Sequence, residues 1–357
     1  MANFSLALLF LFVSLFSPFL PIKAQDLHKI RFKSPGLYPE GLTYEPTSQR
    51  FIVASLQGNK FISVSGSGDT LTLTLNSPEI SPNSTILGLA VDHRNHRLLA
   101  AINSFSSPFI ASFNLNQSSL DLHFLALLSP SIGIANDVAF DDSGNAYVTN
   151  SDKNFISKVT ENGTVAVLSN SSRFTHNPVH ESPYSYCGLN GVVYVNGFLL
   201  VVQSNTGKMF KVNTIDGTAT TVNLPLDLKL ADGIAVKDDG IVVVVSMNKA
   251  WFLRSVDDWN NGVVVDEIAL DENGYPTSVV VRDGRRVYVV YGYVQEAITG
   301  NSQEREWFRI EEIRMKKETE EGSLLWVVLL VGLGLGYFFF WKFQMGQLVK
   351  NMDRKRL

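Results

Sequence analysis

Two carboxylates and two carboxamides stand at the start of apolar segments that are spread along the chain. Glu40, Asn136, Asn190 and Asp232 each precede a run such as GLTY, DVAF, GVVY or GIAV. Carboxylates that are brought together without a cation repel each other and are costly to remove from water. Calcium relieves this repulsion, because it takes six to eight oxygen ligands from carboxylates, amide carbonyls and water. If the fold gathers these four side chains, the pattern predicts a Ca2+ site.

The four residues belong to a motif that occurs six times, which indicates a repeat architecture. The residues that open the six apolar runs are Glu40, Leu87, Asn136, Asn190, Asp232 and Thr277. Successive openings are separated by 47, 49, 54, 42 and 45 residues. These intervals match the length of a four-stranded propeller blade. No histidine or cysteine occupies any of the six positions, which argues against zinc or copper.

Each unit continues with a polar turn and further short apolar runs, as short antiparallel strands do. We therefore predict an all-β fold, a six-bladed β-propeller, followed by a C-terminal single transmembrane helix. The last unit lacks a fourth strand of its own, and residues 28–33 (HKIRFK) are expected to fill that place and close the ring. Because the first strand of every blade lines the channel, the six opening residues should meet around one axis. A β-sandwich with meander connections is the alternative.

An apolar, uncharged run lies near each end of the chain, and these two runs predict targeting and anchoring segments. Residues 1–24 are predicted to be a signal peptide, since the apolar run LALLFLFVSLFSPFL is short for a membrane span. The predicted propeller covers residues 25–315, and a charged stem covers 316–323. Residues 324–341 (LLWVVLLVGLGLGYFFFW) are predicted to form the transmembrane helix, and residues 342–357 a basic cytosolic tail.

The charges around the second apolar run predict a type I, single-pass protein of the secretory pathway. The segment before the run is acidic and the tail is basic, so the propeller should be lumenal or extracellular. The endoplasmic reticulum, the vacuole and the plasma membrane all remain open. Gly332 and Gly336 form a GxxxG spacing that would allow a weak homodimer through this helix. Four sequons predict a glycoprotein: Asn83, Asn116, Asn162 and Asn170.

The composition excludes two further classes of function. Cys187 is the only cysteine, so the chain has no intramolecular disulfide and no cysteine-based zinc site. The net charge is −4, and basic residues cluster only in the C-terminal tail, so we expect no nucleic-acid partner.

The segments PEGLTYEP, NDVAFDDSGNAYVTN, LNGVVY, ADGIAVKDDG and PTSVVV together resemble the calcium-dependent six-bladed propellers of the regucalcin and gluconolactonase type. Diisopropyl fluorophosphatase, the paraoxonases, and strictosidine synthase-like and NHL-repeat proteins are more distant relatives. The resemblance covers roughly residues 35–315. It implies that Glu40, Asn136, Asn190 and Asp232 hold the metal, and that Asp232 acts as base or nucleophile. The implied activity is hydrolysis of lactones or other esters, with phosphotriesters as a further substrate class.

Several alternatives stay open at the level of the sequence. The sixth unit opens with PTSVVV and has no acidic residue there, which disfavours condensation chemistry of the strictosidine synthase type. An NHL-like propeller that serves as a membrane-tethered protein-interaction module is the alternative function. Asp137 is either an orienter of the site or a turn residue. His176 and His180, in the long insertion over residues 169–189, are either proton shuttles or inert loop residues.

Overall fold

The computed structural model describes residues 27–104, 107–115, 119–128, 133–182, 184–299 and 305–354, apart from the side chains of 317–329 and 353. The predicted signal peptide and the sequon at Asn116 lie outside these residues. The chain divides into two units, of which one spans His28–Ile313. The other includes the residues from Arg314 onward.

The unit His28–Ile313 is an all-β propeller whose strands are short and, apart from one pair, antiparallel to their neighbours. The strands are β1 Lys29–Lys33, β2 Pro39–Glu45, β3 Arg50–Ser55, β4 Phe61–Val64, β5 Thr70–Asn76, β6 Thr85–Asp92, β7 Arg97–Ser104, β8 Ser107–Leu115, β9 Ser119–Leu127, β10 Ala135–Phe140, β11 Ala146–Asn150, β12 Phe155–Val159, β13 Val165–Ser169, β14 Leu189–Val195, β15 Phe198–Gln203, β16 Met209–Asn213, β17 Ala219–Thr221, β18 Ala231–Val236, β19 Val242–Ser246, β20 Lys249–Arg254, β21 Val263–Ala269, β22 Pro276–Arg282, β23 Arg286–Tyr291 and β24 Trp307–Ile313. The described residues also include the α-helices α1 Val294–Thr299, in this unit, and α2 Lys316–Asp353, in the other.

The strands form five sheets. Three are four-stranded meanders, β10 to β13, β14 to β17 and β18 to β21. A fourth sheet has the order β22, β23, β24, β1, so the first strand of the propeller completes the last sheet. Its register pairs Phe32 with Phe308. The predicted closure by residues 28–33 is therefore confirmed.

The fifth sheet has eight strands, and it joins two meanders at their outer strands. Its order is β2, β3, β4, β5, β9, β8, β7, β6. The joint is a short parallel pairing of β5 with β9, in which Thr74 faces Ser119 and Asn76 faces Asp121. The Asn76 amide donates to the Asp121 carboxylate at 2.7 Å. This joint reduces the number of separate sheets to five.

The inner strands β2, β6, β10, β14, β18 and β22 contact one another in sequence order, and β22 contacts β2. The inner strands therefore form a closed ring. Each of them has a register shift against its neighbouring strand at the motif position, for example between Pro39 and Leu42 or between Ala231 and Ile234. A β-bulge bends a strand and re-aims a side chain. The six motif openings thus share one backbone irregularity at the same end of the ring.

The apolar core lies between neighbouring groups of four strands, both between sheets and within the eight-stranded sheet. Phe51 of β3 packs on Tyr288 of β23 with ring centroids 4.9 Å apart. Phe61 of β4 packs on Phe113 of β8 at 5.6 Å. These rings are buried, and the same clusters contain the apolar residues of the neighbouring strands. Each blade is thus held mainly by burial of aromatic and branched side chains against the next.

The second unit contains helix α2, which runs through the residues of the predicted stem and transmembrane segment and into the predicted tail. Among the residues that the structure describes, a search for helices long and apolar enough to cross a membrane finds none. The predicted span at 324–341 is therefore not confirmed. Its residues 324–329 belong to the part of α2 whose side chains are not described.

Candidate functional site

A cavity of about 640 Å³ lies at the end of the inner strands where the motif openings cluster. Glu40, Asn136, Asn190 and Asp232 all line it, so the structure brings the four predicted metal-binding side chains to one site. Leu87, the opening residue of the second sequence repeat, also contributes to the lining. Thr277 differs from these five, because it does not line the cavity and its hydroxyl donates to the Pro39 carbonyl at 3.2 Å.

Glycines beside the motif residues allow the inner strands to approach closely at this end. A Cβ atom at Gly41 would overlap the carbonyl oxygen of Leu87 in the next inner strand. A Cβ atom at Gly191 would overlap the carbonyl oxygen of Asp232 in the same way. The glycine that follows Glu40 or Asn190 therefore positions the motif residue of the neighbouring unit.

Glu40 is the least satisfied polar group of the site. Its Oε2 atom is buried and has no hydrogen-bond partner. Burial raises the pKa of Glu40 to about 8, and the negative charge of Asp137 adds to this rise. A buried, unpartnered acceptor is costly for a folded protein. A bound cation would give this buried oxygen atom the partner that it lacks.

Asp232 lies in the same electrostatic environment. Burial raises its pKa well above the ordinary value, and the neighbouring charge of Glu40 raises it further. A hydrogen bond from Asn190 opposes the rise but does not cancel it, and the charge of Asp137 adds to it. Buried carboxyl groups whose negative charges raise one another's pKa, as Glu40 raises that of Asp232 and Asp137 raises that of both, are typical of sites that bind a cation or carry out acid–base chemistry.

Asp137 connects the inner strands β10 and β14 beneath the two asparagines. One carboxylate oxygen accepts from the backbone N–H of Val138 and the other from that of Val192, both at 2.9 Å. Burial raises the pKa of Asp137 to about 7, although these two hydrogen bonds lower it. Asp137 therefore has the contacts of a positioning residue, because it follows Asn136 in sequence and fixes β14 two residues after Asn190.

Asn190 is held by its amide nitrogen. That nitrogen donates to the Ser204 hydroxyl at 2.9 Å, and the Ser204 hydroxyl in turn donates to the Ala231 carbonyl at 2.6 Å. The network links β14 to the residue before Asp232. It also fixes the amide in an orientation that its carbonyl oxygen can use for a cation.

Among the polar and aromatic side chains of the cavity that sequence reasoning missed are Cys187, Tyr184 and Tyr275. Burial raises the pKa of the Cys187 thiol to about 11, and the charge of Asp232 contributes, so the thiol is protonated at neutral pH. Burial, with a contribution from Asp232, also raises the pKa of Tyr275. Tyr184 and Tyr275 meet edge to face with centroids 5.6 Å apart. The only sequence signal for Tyr184 and Cys187 is their place in the long insertion.

The two histidines of the insertion lie away from the cavity. His176 is exposed, and its Nδ1 atom is 2.9 Å from the Ser172 carbonyl. His180 Nε2 lies 3.5 Å from the Asp227 carboxylate, which also accepts from Lys208 at 2.6 Å. Neither histidine lines the cavity, so neither is placed to carry protons for this site.

Within the described part of the chain, no three His, Cys, Asp or Glu side chains come close enough together to hold a metal ion. This excludes a zinc-type cluster from that part. The predicted calcium set differs in composition, since two of its four members are asparagines.

Comparison with known proteins shows the fold. No family model and no curated protein matches the sequence. Among solved structures, the Malassezia sympodialis allergen Mala s 1 is 17% identical with a TM-score of 0.67, and the match covers 80% of this chain and 96% of that chain. A gluconolactonase from Xanthomonas campestris is 12% identical with a TM-score of 0.56, covering 82% and 91%. The PQQ-bound aldose sugar dehydrogenase of Streptomyces coelicolor is 15% identical with a TM-score of 0.52, covering 80% and 98%.

These structures share the propeller arrangement with this chain. The predicted resemblance to gluconolactonase-type propellers is confirmed at the level of the fold. At these identities the comparison assigns neither an activity nor a metal to this chain.

Proposed function

We propose that this chain is a calcium-dependent hydrolase of lactones or other esters, including phosphotriesters as a further substrate class. The observation that carries the proposal is the buried, unpartnered Oε2 atom of Glu40 in a cavity that it shares with Asp232 and two asparagines. A cation at this place would give that atom a partner and would offset the repulsion between the carboxylates. The fold similarity to a gluconolactonase supports the reaction class.

The proposal includes six blades. The closed ring of six inner strands and the six register shifts at the motif positions support this count. On this account, the eight-stranded sheet is two blades whose outer strands β5 and β9 have joined. The inner strands β2 and β6 of these two blades contact each other as the other neighbouring inner strands do, so the joint does not interrupt the ring.

Glu40, Asn136, Asn190 and Asp232 would hold the calcium ion through carboxylate and amide oxygens. Four protein residues leave coordination positions for water and substrate, because calcium accepts six to eight ligands. When bound, the ion would supply Lewis-acid stabilisation of the charge that develops on the substrate carbonyl or phosphoryl oxygen.

The chain's own residues would then move the proton and position the reactants. Asp232, which shares the cavity with Asn190, would accept a proton from the water that attacks the substrate. Asp137 would hold β10 and β14 in register through its two backbone hydrogen bonds. Tyr275 and Cys187 would remain protonated, so they would contribute shape and hydrogen bonding rather than nucleophilic attack.

The proposed membrane placement rests on the sequence. It combines a cleaved signal peptide, a lumenal or extracellular propeller and a C-terminal anchor with a cytosolic tail. The apolar run at 324–341 and the basic residues that follow it support this placement.

The test compares hydrolysis of a panel of lactones, aryl esters and a phosphotriester by the purified full-length protein, with calcium and with a chelator. The variants are Asp232→Asn and Glu40→Gln, and the matched control is Asp216→Asn, an exposed carboxylate in the turn before β17. We expect hydrolysis that requires calcium, is lost in the two site variants and persists in the control. If Asp232→Asn retains full activity, or if no substrate is hydrolysed, the proposal is refuted and the interaction-module function takes its place.

A further inference from the structure

The cavity has an apolar lining in addition to the motif residues. We call it the apolar wall, and it consists of Leu56, Tyr184, Leu230, Val294, Ala297 and Ile298. Ile298 is 60% exposed, although it lies on a short helix that also buries Val294. Covering such an exposed side chain with an apolar ligand is favourable, because it removes apolar surface from water.

The apolar wall is built by four segments that are distant in sequence, namely the loop after β3, the insertion, the loop before β18 and helix α1. Helix α1 carries Val294, Ala297 and Ile298. The Gln57 side chain donates to the Ala297 carbonyl at 2.9 Å, and the Tyr184 hydroxyl donates to the Gln295 side chain at 2.8 Å. The polar groups of α1 are therefore used to hold the helix in place. Its apolar face remains for the cavity.

Two polar residues that line the cavity outside the motif ring are engaged with the backbone. Asn103 uses both its oxygen and its nitrogen on the backbone of Ala135, at 2.9 Å each. The Ser151 hydroxyl donates to the Leu189 carbonyl at 2.6 Å. A polyhydroxylated ligand would have to break these bonds or leave its own hydroxyls unpaired, and either is costly. The cavity is therefore poorly suited to a sugar-like ring.

We propose that the substrate of this site is a lactone or ester whose acyl or alkyl part is an apolar chain, rather than a polyhydroxylated sugar lactone. The proposal rests on the proposed function, because the ester group must lie at the motif ring. The apolar chain then extends along the apolar wall towards Ile298. A cavity of about 640 Å³ is of the size that holds a small organic molecule.

The test measures binding, so that it does not depend on turnover. The probes are the methyl ketones 2-pentanone, 2-heptanone and 2-nonanone, which carry a carbonyl and an alkyl chain but cannot be hydrolysed. Their affinities for the calcium-loaded full-length protein are measured by calorimetry or ligand-observed NMR. Burial of each added methylene should strengthen binding by up to about fourfold, so the slope of affinity against chain length is the readout.

Two variants of the apolar wall should flatten this slope. Ile298→Gln keeps a good helix former in α1 but makes the wall polar. Leu230→Asn suits the backbone, because Leu230 has φ 55° and asparagine tolerates this left-handed conformation. Val256→Gln is the matched control, since Val256 is 98% exposed and does not line the cavity.

The proposal is supported if affinity rises with chain length in the wild type and in Val256→Gln, and rises less in either wall variant. It is overturned if affinity does not depend on chain length, or if both wall variants keep the wild-type slope. Failure of the proposed function is a separate result. A normal slope without any calcium-dependent hydrolysis refutes the hydrolase alone, whereas preferential hydrolysis of gluconolactone over alkyl lactones refutes the apolar substrate alone.

Discussion

Replacing Glu40 with glutamine should stabilise the calcium-free protein at neutral pH. The wild-type carboxyl has a pKa of about 8 in the folded state against an ordinary value of 4.5, because it is buried with one oxygen unpartnered. Between these two values the folded protein binds a proton that the unfolded chain releases, so stability falls as pH rises. Glutamine has nearly the same shape and does not ionise.

The magnitude follows from the pKa difference. One pKa unit corresponds to about 1.4 kcal/mol, so the carboxyl destabilises the folded state by up to about 3 kcal/mol at pH 7 and about 5 kcal/mol at pH 8 and above. The difference between Glu40→Gln and wild type should therefore be smallest near pH 4.5 and increase with pH. At pH 7 it should raise the Tm by roughly 6–12 °C for a domain of this size.

Glu45, at the other end of the same strand, provides the matched control. Burial raises its pKa, but hydrogen bonds from Ser48 and Thr47 outweigh burial and lower it. The two backbone donors lie 2.5 and 2.8 Å from its oxygens. The stability that Glu45 contributes is therefore present above its unfolded pKa and is lost as pH falls through the folded pKa. Glu45→Gln should destabilise the protein at neutral pH.

The assay is chemical or thermal denaturation of both variants and wild type with a calcium chelator, at several pH values from 4.5 to 9. The slope against pH separates the ionisation effect from any packing change that the substitution introduces. The reasoning is refuted if Glu40→Gln is less stable than wild type at pH 8, or if the difference between the two proteins does not change with pH.

Three further predictions concern the site and its placement. Calcium affinity should rise as pH increases from about 5 to 8, because Glu40 and Asp232 have raised pKa values and must release their protons when the ion binds. Calorimetry in two buffers of different ionisation enthalpy would detect this release. Equal heats of binding in the two buffers would contradict it. Gly191→Ala should destabilise the protein by more than about 2 kcal/mol and weaken calcium binding, because the added Cβ atom would overlap the Asp232 carbonyl. In the control Gly66→Ala the Cβ atom would make only an ordinary contact, so stability and calcium affinity should stay as in the wild type. The C-terminal tail should be accessible to protease from the cytosolic side of sealed membranes while the propeller is protected, and digestion of the propeller from that side would overturn the proposed topology.

The repeat carried most of the fold prediction. The same opening motif recurs every 42 to 54 residues, and it specifies where each blade begins. The closure by β1 was predicted because the last repeat lacks a fourth strand of its own. The same repeat indicated which side chains would meet, because equivalent positions in a closed ring must face one axis. Glu40 and Asp232 therefore came together in the structure although 192 residues separate them (232 − 40).

Other features depend on local geometry that a repeat does not encode. The position of Thr277 is equivalent in sequence to that of Glu40, yet its hydroxyl is taken up by the Pro39 carbonyl. The parallel pairing of β5 with β9 arises where two outer strands extend far enough to meet. The apolar wall combines α1 with residues of three loops, and none of these segments has a periodic pattern that would predict its partners. Specificity therefore had to be read from the structure.

Calorimetric titration of the purified protein with calcium tests the central claim most directly, alongside the Glu40→Gln and Asp232→Asn variants. The account predicts one calcium ion per chain in the wild type and loss of that binding in both variants, while Asp216→Asn binds as the wild type does. A folded wild-type protein that takes up no calcium, or variants that bind it unchanged, would contradict the account.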